Sequence, residues 1–139
     1  MKLKTFIQTL EEIAPPELAE SWDNTGLLID PLKAREIQKV LLCIDLTDSV
    51  AREAIRKKAD AIVAYHPLFF GGLKRLEKEN PQARVAMRLI QNDIAVYSPH
   101  TALDAAPGGV NDWLADTLGE GDLYCAPTGG ARIIELDTP

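Results

Sequence analysis

Several things are missing from these 139 residues, and each absence narrows what the protein can do. No apolar run approaches the roughly 20 residues that a bilayer crossing requires. The first residues, MKLKTFIQTLEEIAPPE, open like a secretory signal, but Glu11 and Glu12 fall where a signal's apolar centre would continue. No small-residue cleavage pattern follows, so the segment reads as a helix and the cytoplasm is the expected compartment. Cysteine is scarce: Cys43 and Cys125 form no CxxC, which excludes a disulfide framework and a zinc ribbon. Cys43, inside the apolar run Val40–Ile44, reads as a small buried hydrophobe, and Cys125 carries no assigned role. A basic surplus is also absent. Fifteen Lys and Arg against 21 Asp and Glu leave a net charge of −6, which argues against a nucleic-acid partner. The basic residues of Arg52–Lys58 and Lys74–Lys78 are interrupted by Glu53 and Glu77 and read as solvated surface. Net charge does not describe a pocket, so a local anion site stays open.

The common nucleotide and hydrolase fingerprints are missing too. There is no GxxxxGK-S/T, no GxGxxG and no GxSxG. The doublets Gly71–Gly72, Gly108–Gly109 and Gly129–Gly130 read as turns rather than phosphate cradles. Ser98 or Thr101 beside His100 makes a poor nucleophile–base pair, because neighbours in sequence seldom face each other.

What is present is an ordinary globular composition, 46% hydrophobic and 26% charged, at a length suited to a single domain over residues 1–139. Phe6, Leu10 and Ile13 repeat at helical spacing until Pro15–Pro16. Gly26–Ile29 is a short apolar run of strand length, broken by Asp30–Pro31. Lys39–Asp45 (KVLLCID) reads as a strand buried on both faces. Thr47 or Asp48 caps the helix that follows, with Val50, Ala51, Ala54, Ile55 and Lys58 along it. Ala61–Tyr65 is a second buried strand leading into His66–Pro67. Asn80–Pro81 starts a helix whose apolar side is Val85, Leu89 and Ile90. Ile94–Tyr97 is a third strand, and SPHTALDAAPGG reads as a loop. Asn111 or Asp112 caps a helix through Trp113, Leu114 and Leu118, ending at Gly119. Arg132–Leu136 is a last strand with no partner after it.

Strands alternating with helices predict an α/β fold, a mostly parallel sheet flanked by helices with right-handed crossovers. In such sheets ligands bind beyond the carboxyl ends of the strands. Asp45, His66, His100 and Asp104 all fall just past strand ends, so their loops are expected on one edge. The only two histidines of the chain lie there. Imidazole nitrogen together with carboxylate oxygen suits Zn, Mn, Fe or Co. Each residue also has a plain reading: His66 as a packed histidine, His100 as a surface loop histidine, and Asp104 as a turn former. His100 and Asp104, four residues apart opposite His66, favour the metal.

Three blocks carry a resemblance: Trp22–Leu27 (WDNTGL), Ala64–Phe70 (AYHPLFF) and Tyr97–Asp112 (YSPHTALDAAPGGVND). In this order they resemble the Nif-three-like family, also labelled as homologs of a type-two GTP cyclohydrolase I, with forms most like its eukaryotic branch. The resemblance implies the first half of an α/β fold with a dinuclear metal centre, usually in a toroidal hexamer. It implies a metal-dependent hydrolase acting on a nucleotide or small metabolite, or alternatively a non-catalytic metal-binding assembly or regulatory protein with a protein partner. By position, His66 matches the second histidine of a metal-binding pair and Asp104 a bridging carboxylate. His100 matches a motif histidine close to the metals, and the motif containing Asp23 and Asn24 borders the same cleft. Tyr65 stands where many members have the first histidine, and a neutral phenol is a weak ligand. A later His-x-x-x-Glu of the family has no counterpart here. Asp23 and Asp45 could add oxygens, but the expected site is half built. A truncated chain, a second polypeptide, or completion between subunits would explain that. An unpaired last strand would favour self-association.

Overall fold

The computed structural model describes residues 1–33, 36–126 and 130–137. Helix α1 (Leu3–Ile13) leads through a short 3-10 turn (Pro16–Leu18) to β1 (Gly26–Ile29) and β2 (Val40–Cys43). Then follow α2 (Asp48–Lys57), β3 (Ala61–Ala64), α3 (Pro81–Gln91), β4 (Ala95–Ser98), α4 (His100–Ala105), α5 (Val110–Asp116), β5 (Gly121–Cys125) and β6 (Arg132–Leu136). The main sheet has the order β1-β4-β3-β2. Strands β2, β3 and β4 are parallel, and β1 runs antiparallel to β4, with Gly26 opposite Ser98. The α/β class with a mostly parallel, helix-flanked sheet is therefore the observed architecture.

The local signals act as expected at two helix starts. Thr47 Oγ1 accepts the backbone N–H of Val50 at 3.3 Å, which makes Thr47 rather than Asp48 the cap of α2. Asn80 Oδ1 accepts the N–H of Ala83 at 3.1 Å, with Pro81 at the first helical position. On one face of the sheet Ala51 and Ala54 of α2 and Val85, Ala86 and Leu89 of α3 pack on Ile62, Ala64, Val96 and Ile29. On the other, Phe6 of α1 packs with Ile37, Ala61 and Ala95. The apolar positions of β3 and β4 are covered on both faces, which is why these strands are continuous in hydrophobicity.

Several expectations are corrected. Strand β2 is not buried on both faces: it is the sheet edge, and Leu42 and Ile44 are 76% and 61% exposed. Cys43 is accordingly only half-buried, although it packs against the core. Lys58 is not part of α2; it adopts a left-handed conformation as the C-cap. Ile13, despite its helical spacing, is exposed.

The SPHTALDAAPGG segment is not all loop. His100–Ala105 forms a helix because its small residues allow close approach: Ala102 and Ala106 are buried against Ala14. Helix α5 is capped at Gly109, not at Asn111 or Asp112, and ends at Asp116 rather than at Gly119. A Cβ on Gly109 would lie 1.9 Å from the carbonyl oxygen of Leu103, so only glycine fits there. Asp112 supports this start from three residues inside, accepting the N–H of Gly108 at 2.6 Å.

Strand β6 is not unpaired. It forms an antiparallel pair with β5, in register from Gly121 opposite Leu136 to Cys125 opposite Arg132. The self-association argument from a bare last strand therefore falls. Arg132 fastens this pair to the rest of the fold, donating from Nε to Asp112 and from Nη2 to the carbonyl of Ala105 at 3.0 Å. Of the doublet Gly129–Gly130, the first residue lies outside the described residues. Among the described residues no helix is long and apolar enough to cross a membrane.

Candidate functional site

Parallel strands β2, β3 and β4 end on one edge, and each delivers polar residues there. Asp45 follows β2, Tyr65 and His66 follow β3, and His100 and Asp104 lie on α4 just past β4. Because β1 is antiparallel, its beginning lies beside the end of β4, so Asp23 and Asn24 reach the same edge. The structure thus gathers all seven residues singled out in the sequence.

The contacts between them follow a pattern. His66 Nδ1 donates to Asp45 Oδ1 at 2.7 Å. His100 Nδ1 lies 2.9 Å from both carboxylate oxygens of Asp23. An ionised carboxylate only accepts, so in each neutral imidazole the proton sits on Nδ1 and the lone pair on Nε2. Among the described residues neither Nε2 has a hydrogen-bond partner. The two rings lie 5.5 Å apart, nearly perpendicular.

His100 is buried rather than on the surface, and it adopts a left-handed φ of 27°. Such a conformation costs roughly 1 kcal/mol or more and persists only where the surroundings hold it. Asp23 holds it. Its side chain has no exposed surface and also accepts from Thr101 Oγ1 and from the backbone N–H groups of Asn24 and Thr101. Burial by itself would raise the Asp23 pKa, but these hydrogen bonds outweigh it and keep the carboxyl below its ordinary value, hence ionised.

Tyr65 donates its hydroxyl proton to Asp104 Oδ1 at 2.5 Å. Burial, and then this bond to a carboxylate, push the phenol pKa well up, so Tyr65 stays neutral and donates. One oxygen of Asp104 is occupied by that bond; the other remains. Thr101 was weighed only as a poor nucleophile beside His100, and its role in holding Asp23 was not foreseen. It links Asp23 to the N–H of Glu20 at 3.0 Å. Phe70 was likewise unforeseen. It stacks near Trp22, and both rings face His100 edge-on.

Two surface clefts flank the cluster. One, of about 340 Å³, is lined by Asp45, Leu46, Thr47, His66, Pro67 and Gln82, among others. The other, of about 500 Å³, is lined by Asn24, Phe69, Phe70, Gly71 and Gly72 among others. A larger cavity of about 550 Å³ near Lys2, Asp30 and Glu36 shares no residue with the cluster. It brings together no histidines, and we assign it no chemistry.

Whether these residues suit a metal can be judged on the donors. The two Nε2 atoms and the remaining oxygen of Asp104 fit a Zn-, Mn-, Fe- or Co-type ion in kind. Asp45 and Asp23 supply the carboxylate partners that orient metal-binding imidazoles. They are not gathered closely enough to hold one by themselves: among the described residues no group of three or more His, Cys, Asp or Glu is arranged to hold an ion.

The Duf34/NIF3 (NGG1p interacting factor 3) family model matches residues 1–139. The chain is similar to the NIF3 homolog of Schizosaccharomyces pombe, 53% identical over 153 aligned positions covering 99% of this chain and 54% of that protein. It is similar to NIF3-like protein 1 of Drosophila melanogaster, 44% identical over 142 positions, 96% of this chain and 49% of that one. Among solved structures it matches reduced HcgD from Methanocaldococcus jannaschii with a TM-score of 0.85 at 31% identity, covering 93% of this chain and 52% of that one. It also matches a Bacillus cereus protein related to NIF3, with a TM-score of 0.83 at 37% identity, covering 92% and 35%. The chain spans about half the length of the two curated relatives named here.

Proposed function

As the chain belongs to the Duf34/NIF3 family, we propose that it contributes His66 and Asp104 to a divalent transition-metal site (Zn, Mn, Fe or Co) of a metal-dependent hydrolase acting on a nucleotide or small metabolite. The observation that carries this reading is the pairing of each histidine with its own carboxylate, His66 with Asp45 and His100 with Asp23, with both Nε2 atoms unbonded among the described residues. His66 Nε2 and the Asp104 oxygen not bonded to Tyr65 are the donors. The remaining ligands come from outside these 139 residues, from sequence such as the half of its relatives that this chain does not span, or from another subunit.

When bound, the ion supplies Lewis-acid polarisation of a substrate oxygen. The chain's own residues do the rest. Asp45 fixes the tautomer and ring angle of His66, and Tyr65 fixes Asp104. His100, held by Asp23, keeps a free Nε2 in the partly dry site, from which it accepts or returns a proton. Homo-oligomerisation, a hexamer by family resemblance, belongs to the same proposal and is tested by light scattering.

Elemental analysis of purified protein tests the ligand assignment. His66→Ala and Asp104→Ala each lower the metal content per chain; unchanged stoichiometry in both sinks it. A second reading, a non-catalytic metal-binding assembly or regulatory protein, is favoured by the short donor set. Turnover assays with Mn-, Fe-, Co- and Zn-loaded protein on nucleotides and phosphoesters separate the two. Failure of all four forms leaves the non-catalytic reading.

A further inference from the structure

The ribbon formed by β5 and β6 leaves large apolar side chains in water on both of its faces. Its register sets Tyr124 opposite Ile133, so the two share one face, where they are 47% and 50% exposed. The other face carries Leu123, Ile134 and Leu136, together with Arg132, which reaches across to Asp112 of α5. Helix α5 packs against β6, and Leu123 on β5 stays 39% exposed. Among the described residues β5 pairs only with β6, which leaves its far edge without a neighbour. A two-stranded ribbon is marginal by itself in water, and a third strand on that edge would complete it.

Charge identifies what fits there. Residues 110–137 hold six acidic residues and one arginine, a net of −5 in a chain whose total is −6. That arginine, Arg132, is already bonded to Asp112. Beside the Tyr124–Ile133 pair, Asp122 sits directly opposite Glu135. Like charges in directly opposed positions repel, and among the described residues no Lys or Arg is paired with either. A second copy of this chain would bring the same acids face to face. Nucleic acid and anionic membranes would be repelled as well. A cation set beside the two carboxylates relieves the repulsion.

We propose that the open edge of β5 takes up an extended polypeptide segment in which basic and apolar residues alternate. Its backbone adds a third strand, a mode in which main-chain hydrogen bonds hold the segment and alternate side chains select it. Alternation sends its basic side chains to the face of Asp122 and Glu135. One lies beside the two carboxylates, and the next runs its apolar stem over Tyr124. Its apolar side chains fall on the other face, against Leu123. The edge strand β2 also exposes Leu42, but no acidic pair lies across it, so it does not suit the same segment. This surface lies outside the proposed metal site, and the inference holds whether or not an ion binds there.

A fluorescein-labelled peptide of about nine residues, alternating Val and Lys, tests this on the full chain. Its anisotropy rises saturably, with half-saturation below about 1 mM, and the same peptide with Glu for Lys does not bind. Asp122→Asn with Glu135→Gln removes two exposed, opposed charges and leaves the circular dichroism unchanged. It weakens the Val–Lys peptide about fivefold, the loss of two exposed ion pairs of ordinary strength. In hydrogen exchange the bound peptide protects amides of β5 and not those of β2. The proposal is overturned if the Val–Lys peptide binds no better than the Val–Glu one, if the double variant binds it as tightly as the wild type, or if the protection falls on β2. Analytical ultracentrifugation covers the remaining occupant. A dimer that Tyr124→Ser with Ile133→Ser dissociates would give this face to a second copy and overturn the proposal as well.

Discussion

Tyr65 and Asp104 are 39 residues apart in sequence and joined by one hydrogen bond from phenol to carboxylate. The bond spans from the end of β3 to the last turn of α4 and decides which oxygen of Asp104 remains available. Removing the hydroxyl in Tyr65→Phe leaves the carboxylate without this partner, and a hydrogen bond to a charged group contributes about 1.5 kcal/mol or more. An unfolding free energy lower by that amount is expected, read from urea titration as a lower midpoint at unchanged slope. An unchanged midpoint would mean that the bond does not hold Asp104.

Asp45 touches His66 and, in the proposed site, not the metal. Asp45→Asn keeps the shape but presents a weaker acceptor to Nδ1, and loss of such a partner typically weakens metal binding 10- to 100-fold. Competition against a chromophoric chelator reads this directly. Asp23→Asn, which acts through His100, is expected to weaken binding less, because His100 supports the site and His66 binds.

Arg132 is the fastening between the β5–β6 pair and α4–α5. Its Nε bonds to Asp112 and its Nη2 to the carbonyl next to Asp104, with the side chain only 8% exposed. Arg132→Met leaves Asp112 without its cation, at a cost of about 3 kcal/mol, the low end for a broken buried pair. Denaturant unfolding checks this value, and adding Asp112→Asn to Arg132→Met should recover part of the loss.

Asp48 joins two helices. It accepts from Arg52 on α2 at 2.8 Å and from Arg88 on α3 at 3.2 Å. The bond from Arg52 is the largest influence and, together with the charges of Arg52 and Arg88, outweighs the opposing loss of solvation and holds the carboxyl below the ordinary 3.8. Because the folded value is the lower one, the stabilisation is complete above 3.8 and is lost as pH falls through the folded value. Thermal melts between pH 6 and 2 should therefore decline less in Asp48→Asn than in the wild type. Parallel curves would show that this network does not govern acid stability.

The interior strand β3 and the edge strand β2 can be told apart by mutation. Ile62, fully buried in β3, should lose about 3 kcal/mol on truncation to Ala, a typical cost of a core cavity. Leu42, mostly exposed in the neighbouring strand, should change stability by less than about 0.5 kcal/mol. Equal losses would mean that β2 is covered in solution.

Much of this was legible in the chain itself. The alternation of apolar strands with helices indicated a parallel α/β sheet, because a doubly covered strand must be apolar throughout and Thr47 and Asn80 mark the starts of α2 and α3 as side-chain caps. The order Asp45, His66, His100, Asp104 past successive strand ends was enough to place the four on one edge. Those are local or periodic properties, and sequence carries them directly. Other features are set by contacts between distant segments, which no local pattern records. That β2 is an edge with Leu42 in water, that α4 is helical because Ala14 packs on it, and that β6 pairs with β5 were decided by tertiary structure. The carboxylate pairing was decided there as well. Nothing near His66 names Asp45 as its partner, and nothing near His100 names Asp23, 77 residues away. Sequence determined which groups could do chemistry; the fold decided which nitrogen and which oxygen each would have left to offer.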